Sequence, residues 1–287
     1  MTPDLDPDLA PELDRTHSPS PSSPLAFPIL VDRFYASLIR HAPSAEAGLA
    51  GQLLYVGAMK EDGRALMVAA NIAGAASLGA ADDLATGKQA TRDGVADFLV
   101  TDLDEALRIL KNEIRKREPV AVCVAASPAS IEQEMLERGV LPDFVRDLNL
   151  NSSPGMVSEM NANSNVAGTS DPLRLAPTFG GSPTLITPLV PAPHESLLTW
   201  SVGETPAQWL PRLDTIAMEC FASDESPSAQ IARRWLRFAP RYLGRLSANA
   251  RVLRCPTDVA AEIAQRMRAR VQSGEIGISV QIEFVQP

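Results

Sequence analysis

Two glycines, Gly57 and Gly63, bracket the stretch "GAMKEDG", with an apolar run, "QLLYV", before it and an alanine-rich one, "RALMVAANIAG", after it. Strand, tight turn and helix in that order are what a bound phosphate requires. Backbone N–H groups and the positive end of the helix then face the anion, and glycine lets it come close. Gly57 and Gly63 are therefore candidate cofactor-binding residues. Between them the turn carries Lys60, Glu61 and Asp62 rather than further glycines, and carboxylates repel phosphate. A third candidate, Asp82, follows the next short run, "GAASLGA", with Asp83 beside it. An acid at the end of a second strand can accept hydrogen bonds from ribose hydroxyls. It can equally be a solvated loop carboxylate, and the residues leave both readings open.

Other side chains capable of chemistry are sparse. Of the three histidines, His17 lies in a Pro/Ser-rich tail, His41 at a helix end and His194 between prolines. None has neighbours that would make it a general base. Cys123 and Cys255 read as small buried hydrophobes. With Cys220 they are an odd, scattered set without zinc-ligand spacing. Arg251 matches a polar position late in the chain and is the best exposed polar candidate there, although an ion pair at a strand edge accounts for it better. Trp200, Trp209 and Trp235 read as core residues among helices. No catalytic residue and no metal ligand is assigned.

The elements that must position these groups are read from periodicity. Ile29, Phe34, Leu38 and Ile39 have helical spacing. Strands follow at "QLLYV", "GAASLGA", Phe98–Val100, "PVAVCVA" and "PDFVRD", with helices between them. In the clearest helix Leu103, Leu107, Leu110 and Ile114 form one apolar stripe, Asp102 stands at the N-cap and Arg115–Arg117 at the C-terminus. Ser127 and Pro128 open the next helix, which Gly139 ends. Alternating strands and helices predict a doubly wound α/β domain with a parallel sheet flanked by helices. Residues 1–25 read as a disordered tail, 26–148 as the α/β domain and 149–195 as a low-complexity connection. The remainder, 196–287, is a C-terminal segment of two helices, a strand, a helix and a final strand.

Composition sets the outer bounds. The 287 residues carry a net charge of −9, which opposes nucleic-acid binding. No apolar run approaches the roughly 18 residues of a membrane span. The acidic residues Asp4, Asp6 and Glu12 are unlike a secretory signal, so the expected location is cytoplasmic.

The blocks "AANIAGAASLGAADD", "DLDEALRIL" and "EMLERGVLPDFVRD", preceded by "VDRFYASLIRH", resemble successive blocks of urocanase, the urocanate hydratase of histidine breakdown. "RRWLRFAPRYLGRLSANARVLRC" and "AAEIAQRMRARVQSGEIG" resemble the segment in which that family returns from its cofactor domain to its core. The resemblance covers about residues 29–147 and 231–287. It implies a Rossmann-like domain and a tightly held NAD whose oxidised ring acts as an electrophile. It also identifies the departures. Only Gly57 and Gly63 match the family's glycine-rich turn, Ala81 replaces its glutamate, and "VAASPASIE" stands for a glycine–asparagine loop. Phe284, Val285 and Gln286 stand where the family has arginine, aspartate and histidine. The expectation is a divergent, truncated urocanase-like module without hydratase catalysis, whose partners are copies of itself or a full-length urocanase. NAD is expected only if the family site survives. An active hydratase-type lyase and a nucleotide-sensing module are the alternatives.

Overall fold

A computed structural model of the protein describes residues 24–147 and 183–285. The expected tail as far as residue 23, and the connection as far as residue 182, lie outside the described residues. The chain opens with α1 (Ala26–Ile39) and then builds β1 (Leu53–Ala58), α2 (Glu61–Ala73), β2 (Ala76–Ala80), α3 (Leu84–Arg92), β3 (Phe98–Val100), α4 (Leu103–Lys116), β4 (Val120–Val124), α5 (Pro128–Glu137) and β5 (Phe144–Arg146). With β6 (Thr184–Ile186) these strands form a six-stranded sheet in the order β3-β4-β2-β1-β5-β6, every neighbouring pair parallel. This is the doubly wound, Rossmann-like arrangement expected.

Helices cover both faces of that sheet. On one face Tyr55, Leu78, Val122 and Val124 pack against Leu103, Leu107 and Leu110 of α4 and Ile131 and Met135 of α5. The expected stripe of α4 is thus its buried face, with Ile114 at the margin, and Asp102 caps it by accepting from the Glu105 N–H at 2.8 Å. Ser127 caps α5 in the same way. On the other face Leu54, Val56 and Cys123 meet α2, whose residues from Ala65 to Ala73 are all buried. A helix buried on every side is hard to place unless its side chains are small. Ala65, Ala69, Ala70 and Ala73 let α2 fit between the sheet and a further layer of helices.

The later chain forms β7 (Glu195–Val202), α6 (Pro206–Glu219), α7 (Pro227–Leu243), β8 (Ala250–Pro256), α8 (Thr257–Gln272) and β9 (Val280–Val285). Its three strands make a separate antiparallel sheet, β8-β7-β9. Its core is continuous with the first. Tyr35 of α1 packs in a tilted arrangement against Trp235 of α7 with ring centroids 5.0 Å apart, within one cluster that also holds Leu198, Trp200 and Leu253.

Two strands differ from expectation. β6 lies in the segment read as a connection, and β7 begins where that segment was ended. Thr184–Ile186 is too short and too proline-flanked to carry a periodic signal. β7 is central in its sheet, and Leu197–Trp200 are buried in succession without alternation. Trp200 therefore sits in a strand, not among helices, although it is core as expected.

Arg234 ties the two parts together. Its Nε donates to the carbonyl of Ile72 at 3.0 Å, near the end of α2, and Nη1 donates to the carbonyls of Ala45 and Glu46. A cation against helix-end carbonyls is favoured by the macrodipole. Arg234→Met should lower the unfolding free energy by about 2 kcal/mol, measured by urea titration, because the carbonyls lose charged donors. An unchanged midpoint would refute the staple.

Candidate functional site

In an open parallel sheet, ligands sit beyond the carboxyl ends of the strands where successive connections diverge. Here that point lies between β1, which leads through α2 to β2, and β5, whose other neighbour is β6. Gly57, at the mouth of β1, has φ +72°, and the register against β2 shifts between Tyr55 and Gly57. Glycine is needed for that backbone. A Cβ placed there would meet only Arg146 Nη2, at 3.8 Å.

Gly63 has a different task. It lies inside α2, and a Cβ on it would come closer than 3.0 Å to the carbonyl oxygen of Ala58. The glycine lets the helix begin almost on top of the strand that feeds it. Only Met59 and Lys60 separate the two elements. Met59 is buried and its N–H donates to the Ala80 carbonyl at 2.9 Å, so the turn is drawn onto β2. Glu61 and Asp62 are then the first residues of α2, and the N-cap residue Lys60 supplies no side-chain cap.

Asp82 is exposed beyond β2, and no hydrogen bond to it is found among the described residues. Asp83 caps α3, accepting from the Thr86 N–H at 2.7 Å and the Thr86 hydroxyl at 2.8 Å, which hold its carboxyl below the usual carboxylate range. Of the two aspartates, only Asp82 remains uncommitted.

The sequence reading missed a buried cluster beneath this mouth. The Tyr55 hydroxyl, on β1, donates to Glu132 Oε1 at 3.1 Å, on α5. Burial raises both the Tyr55 phenol and the Glu132 carboxyl. Arg146, at the end of β5, is pulled below its ordinary range by burial, against the opposing fields of Asp62, Tyr55 and Glu132. Its Nε is buried without a hydrogen-bond partner among the described residues. The signal in the sequence was an arginine and a tyrosine placed in otherwise apolar strands. Together they make one desolvated cation between carboxylates.

Glu132 has a folded pKa above its unfolded value, so its contribution is fully present below the unfolded pKa and is lost as pH rises through the folded one. The stability of Glu132→Gln relative to the parent should therefore be more favourable at about pH 7.5 than at about pH 5. Calorimetric melting of both proteins at the two pH values checks this, and a pH-independent difference would refute it.

Remaining candidates fall elsewhere. His41 and His194 are exposed, and His17 lies outside the described residues. Burial pushes the Cys123 thiol up to about 11 and the Cys255 thiol up to about 12, as small core hydrophobes. Arg251 of the edge strand β8 pairs with Asp214 at 3.1 Å, and Asp214 also accepts from the Trp200 indole at 3.2 Å. That is the strand-edge ion pair, remote from the mouth of β1. Among the described residues no helix is long and apolar enough to cross a membrane.

Residues 34–152 match the family model described as the urocanase Rossmann-like domain. The later blocks, 231–287, lie outside the matched segment.

Proposed function

Taking residues 34–152 as a urocanase-family Rossmann-like domain, we propose that the protein is a non-catalytic binding or assembly module rather than a hydratase. One observation carries the reading. The first turn of α2, where a dinucleotide's pyrophosphate would lie, carries two carboxylates of the chain itself, Glu61 and Asp62. Both glycines that match the family's turn have internal tasks, so neither is evidence of a ligand. The residues present do not fit a diphosphate at that helix end, and no reaction step is drawn through NAD.

Assembly is supported by the two edges that the sheet has among the described residues. At its two edges, Phe98 on β3 is 47% exposed and Leu185 on β6 is 45% exposed, with Leu141 nearby in sequence to β5 at 50%. Unpaired edge strands bearing large apolar side chains favour pairing with another chain. A second copy of this protein or a urocanase is the proposed partner, and a cytoplasmic location belongs to the same proposal.

Denaturing the purified protein and weighing the released small molecules is the test, joined to an assay of urocanate absorbance. The expected outcome is neither dinucleotide nor activity, with self-association visible by light scattering. Co-purifying NAD together with urocanate turnover would establish the lyase instead.

Arg146 favours a second reading, a sensor for a nucleotide smaller than NAD. Its Nε has no hydrogen-bond partner among the described residues and its Nη2 lies beside Gly57, which would suit a single phosphate. Thermal stabilisation by a mononucleotide, lost in Arg146→Met, would support that reading.

A further inference from the structure

A cavity lies apart from the mouth of β1, walled by α1, α7 and β8. It encloses about 170 Å³ and is lined by Asp32, Tyr35, Glu195, Trp235 and Arg254 among others. Its charged members are unevenly committed. Arg254 Nε and Nη2 both donate to Asp32 Oδ2, at 3.0 and 2.8 Å, and Nη2 also donates to the Leu189 carbonyl. Its Nη1 lies 3.6 Å from Glu195 Oε2, which also accepts from the Ala192 N–H. Nε and both directions of Nη2 are thus hydrogen-bonded within the protein, whereas Nη1 holds only the longer ion-pair contact to Glu195.

The carboxylates are not used up. Among the described residues no donor reaches Asp32 Oδ1 or Glu195 Oε1, although Asp32 is only 1% exposed. A buried carboxylate with an unused oxygen demands a donor. The charged lining holds two carboxylates and one guanidinium, and Arg33 acts on Asp32 from outside it. Apart from Ser228 at the rim, the rest of the wall is apolar and aromatic, including the tilted ring pair of Tyr35 and Trp235. The Tyr35 hydroxyl is spent on the Ile231 carbonyl at 3.2 Å.

We propose that this cavity is a binding site for a small organic monocation, a primary ammonium carrying a compact apolar body. An ammonium offers donors only, which is what the two free oxygens lack. Aromatic faces favour cations and apolar groups alike once water is excluded. The volume has room for several waters, hence for one small amine and not for a nucleotide. This site is independent of the β1 mouth, so its failure would leave the assembly reading untouched.

The probes are benzylammonium and isobutylammonium chloride, with benzyl alcohol and benzoate as neutral and anionic counterparts. The full chain is followed by calorimetric titration and thermal melting. Saturable binding and a rising melting temperature are expected with the amines only. Glu195→Gln should weaken the amines at least about tenfold, the equivalent of 1.4 kcal/mol. The exposed Glu204→Gln, outside the cavity, should leave binding unchanged. Should Glu195→Gln not fold, Ser228→Met at the exposed rim should block entry and abolish binding. No amine binding at tens of millimolar, equal binding of benzyl alcohol, or undiminished binding in the cavity variant would each overturn the proposal.

Discussion

Replacing Gly63 by alanine is expected to destabilise the protein by about 3 kcal/mol, against the usual rule for a helix. In an ordinary helix interior the same change stabilises by about 1 kcal/mol, because alanine loses less backbone freedom on folding. Here the added methyl meets the Ala58 carbonyl oxygen, which is backbone and cannot turn aside. Relief requires the first turn of α2 to lift away from β1. That movement would strain the Met59 N–H bond to the Ala80 carbonyl and the first helical bond, from the Arg64 N–H to the Lys60 carbonyl. Gly203→Ala is the control, since nothing stands within 4 Å of a Cβ there and its φ is not positive. It should change stability by no more than about 0.5 kcal/mol. Denaturant titration of both variants decides the matter. If Gly63→Ala is neutral, the helix does not start where the argument for Glu61 and Asp62 needs it to start.

That same position explains why the site was only partly legible in the sequence. The types and spacing of Gly57 and Gly63 suggested a phosphate cradle, but spacing cannot separate a glycine that admits a ligand from one that admits its own strand. Gly57 answers to backbone conformation and Gly63 to the Ala58 carbonyl. The repulsive character of Glu61 and Asp62 was readable from charge alone, whereas their place at the first turn of α2 depended on Met59 being drawn onto β2. Tyr55, Glu132 and Arg146 were not readable as a group. They come from three elements, and only the β1–β5 pairing brings the two strands together.

The fold divides in a similar way. α4 was legible because its information is local: a capping aspartate, an apolar stripe and a basic last turn. β2 was a weak strand by propensity, yet it is buried throughout because neighbouring strands and helices need small residues there. A Cβ on Gly79 would crowd Met59, Met67 and Val56. β7 was lost because a central strand shows no alternation, and its partners β8 and β9 lie far along the chain.

The largest effect is expected at Arg254. Arg254→Met should cost about 3–5 kcal/mol, because it strands the carboxylate of Asp32 in the interior. Asp32 is 1% exposed, and its Oδ2 depends on two donors from this one side chain. The Leu189 carbonyl and Glu195 lose a partner at the same time. These contacts join α1, the segment leading into β7, and β8, so the loss falls on three parts of the fold at once. Burial already holds the Asp32 carboxyl above its ordinary range, with Arg254 as the chief opposing influence. Removing the guanidinium must raise it further. A raised carboxyl contributes stability below its unfolded pKa and loses it as pH climbs through the folded value. The deficit of Arg254→Met should therefore be larger at about pH 7.5 than at about pH 5. The double variant Asp32→Asn with Arg254→Met removes the stranded charge and should recover much of the loss, with a coupling of roughly 1–3 kcal/mol between the two positions. Denaturant titrations of the two single variants and the double variant at both pH values test this. A deficit that does not depend on pH, or single-variant losses that simply add, would mean that Arg254 acts by packing alone and that the carboxylate is not what it restrains.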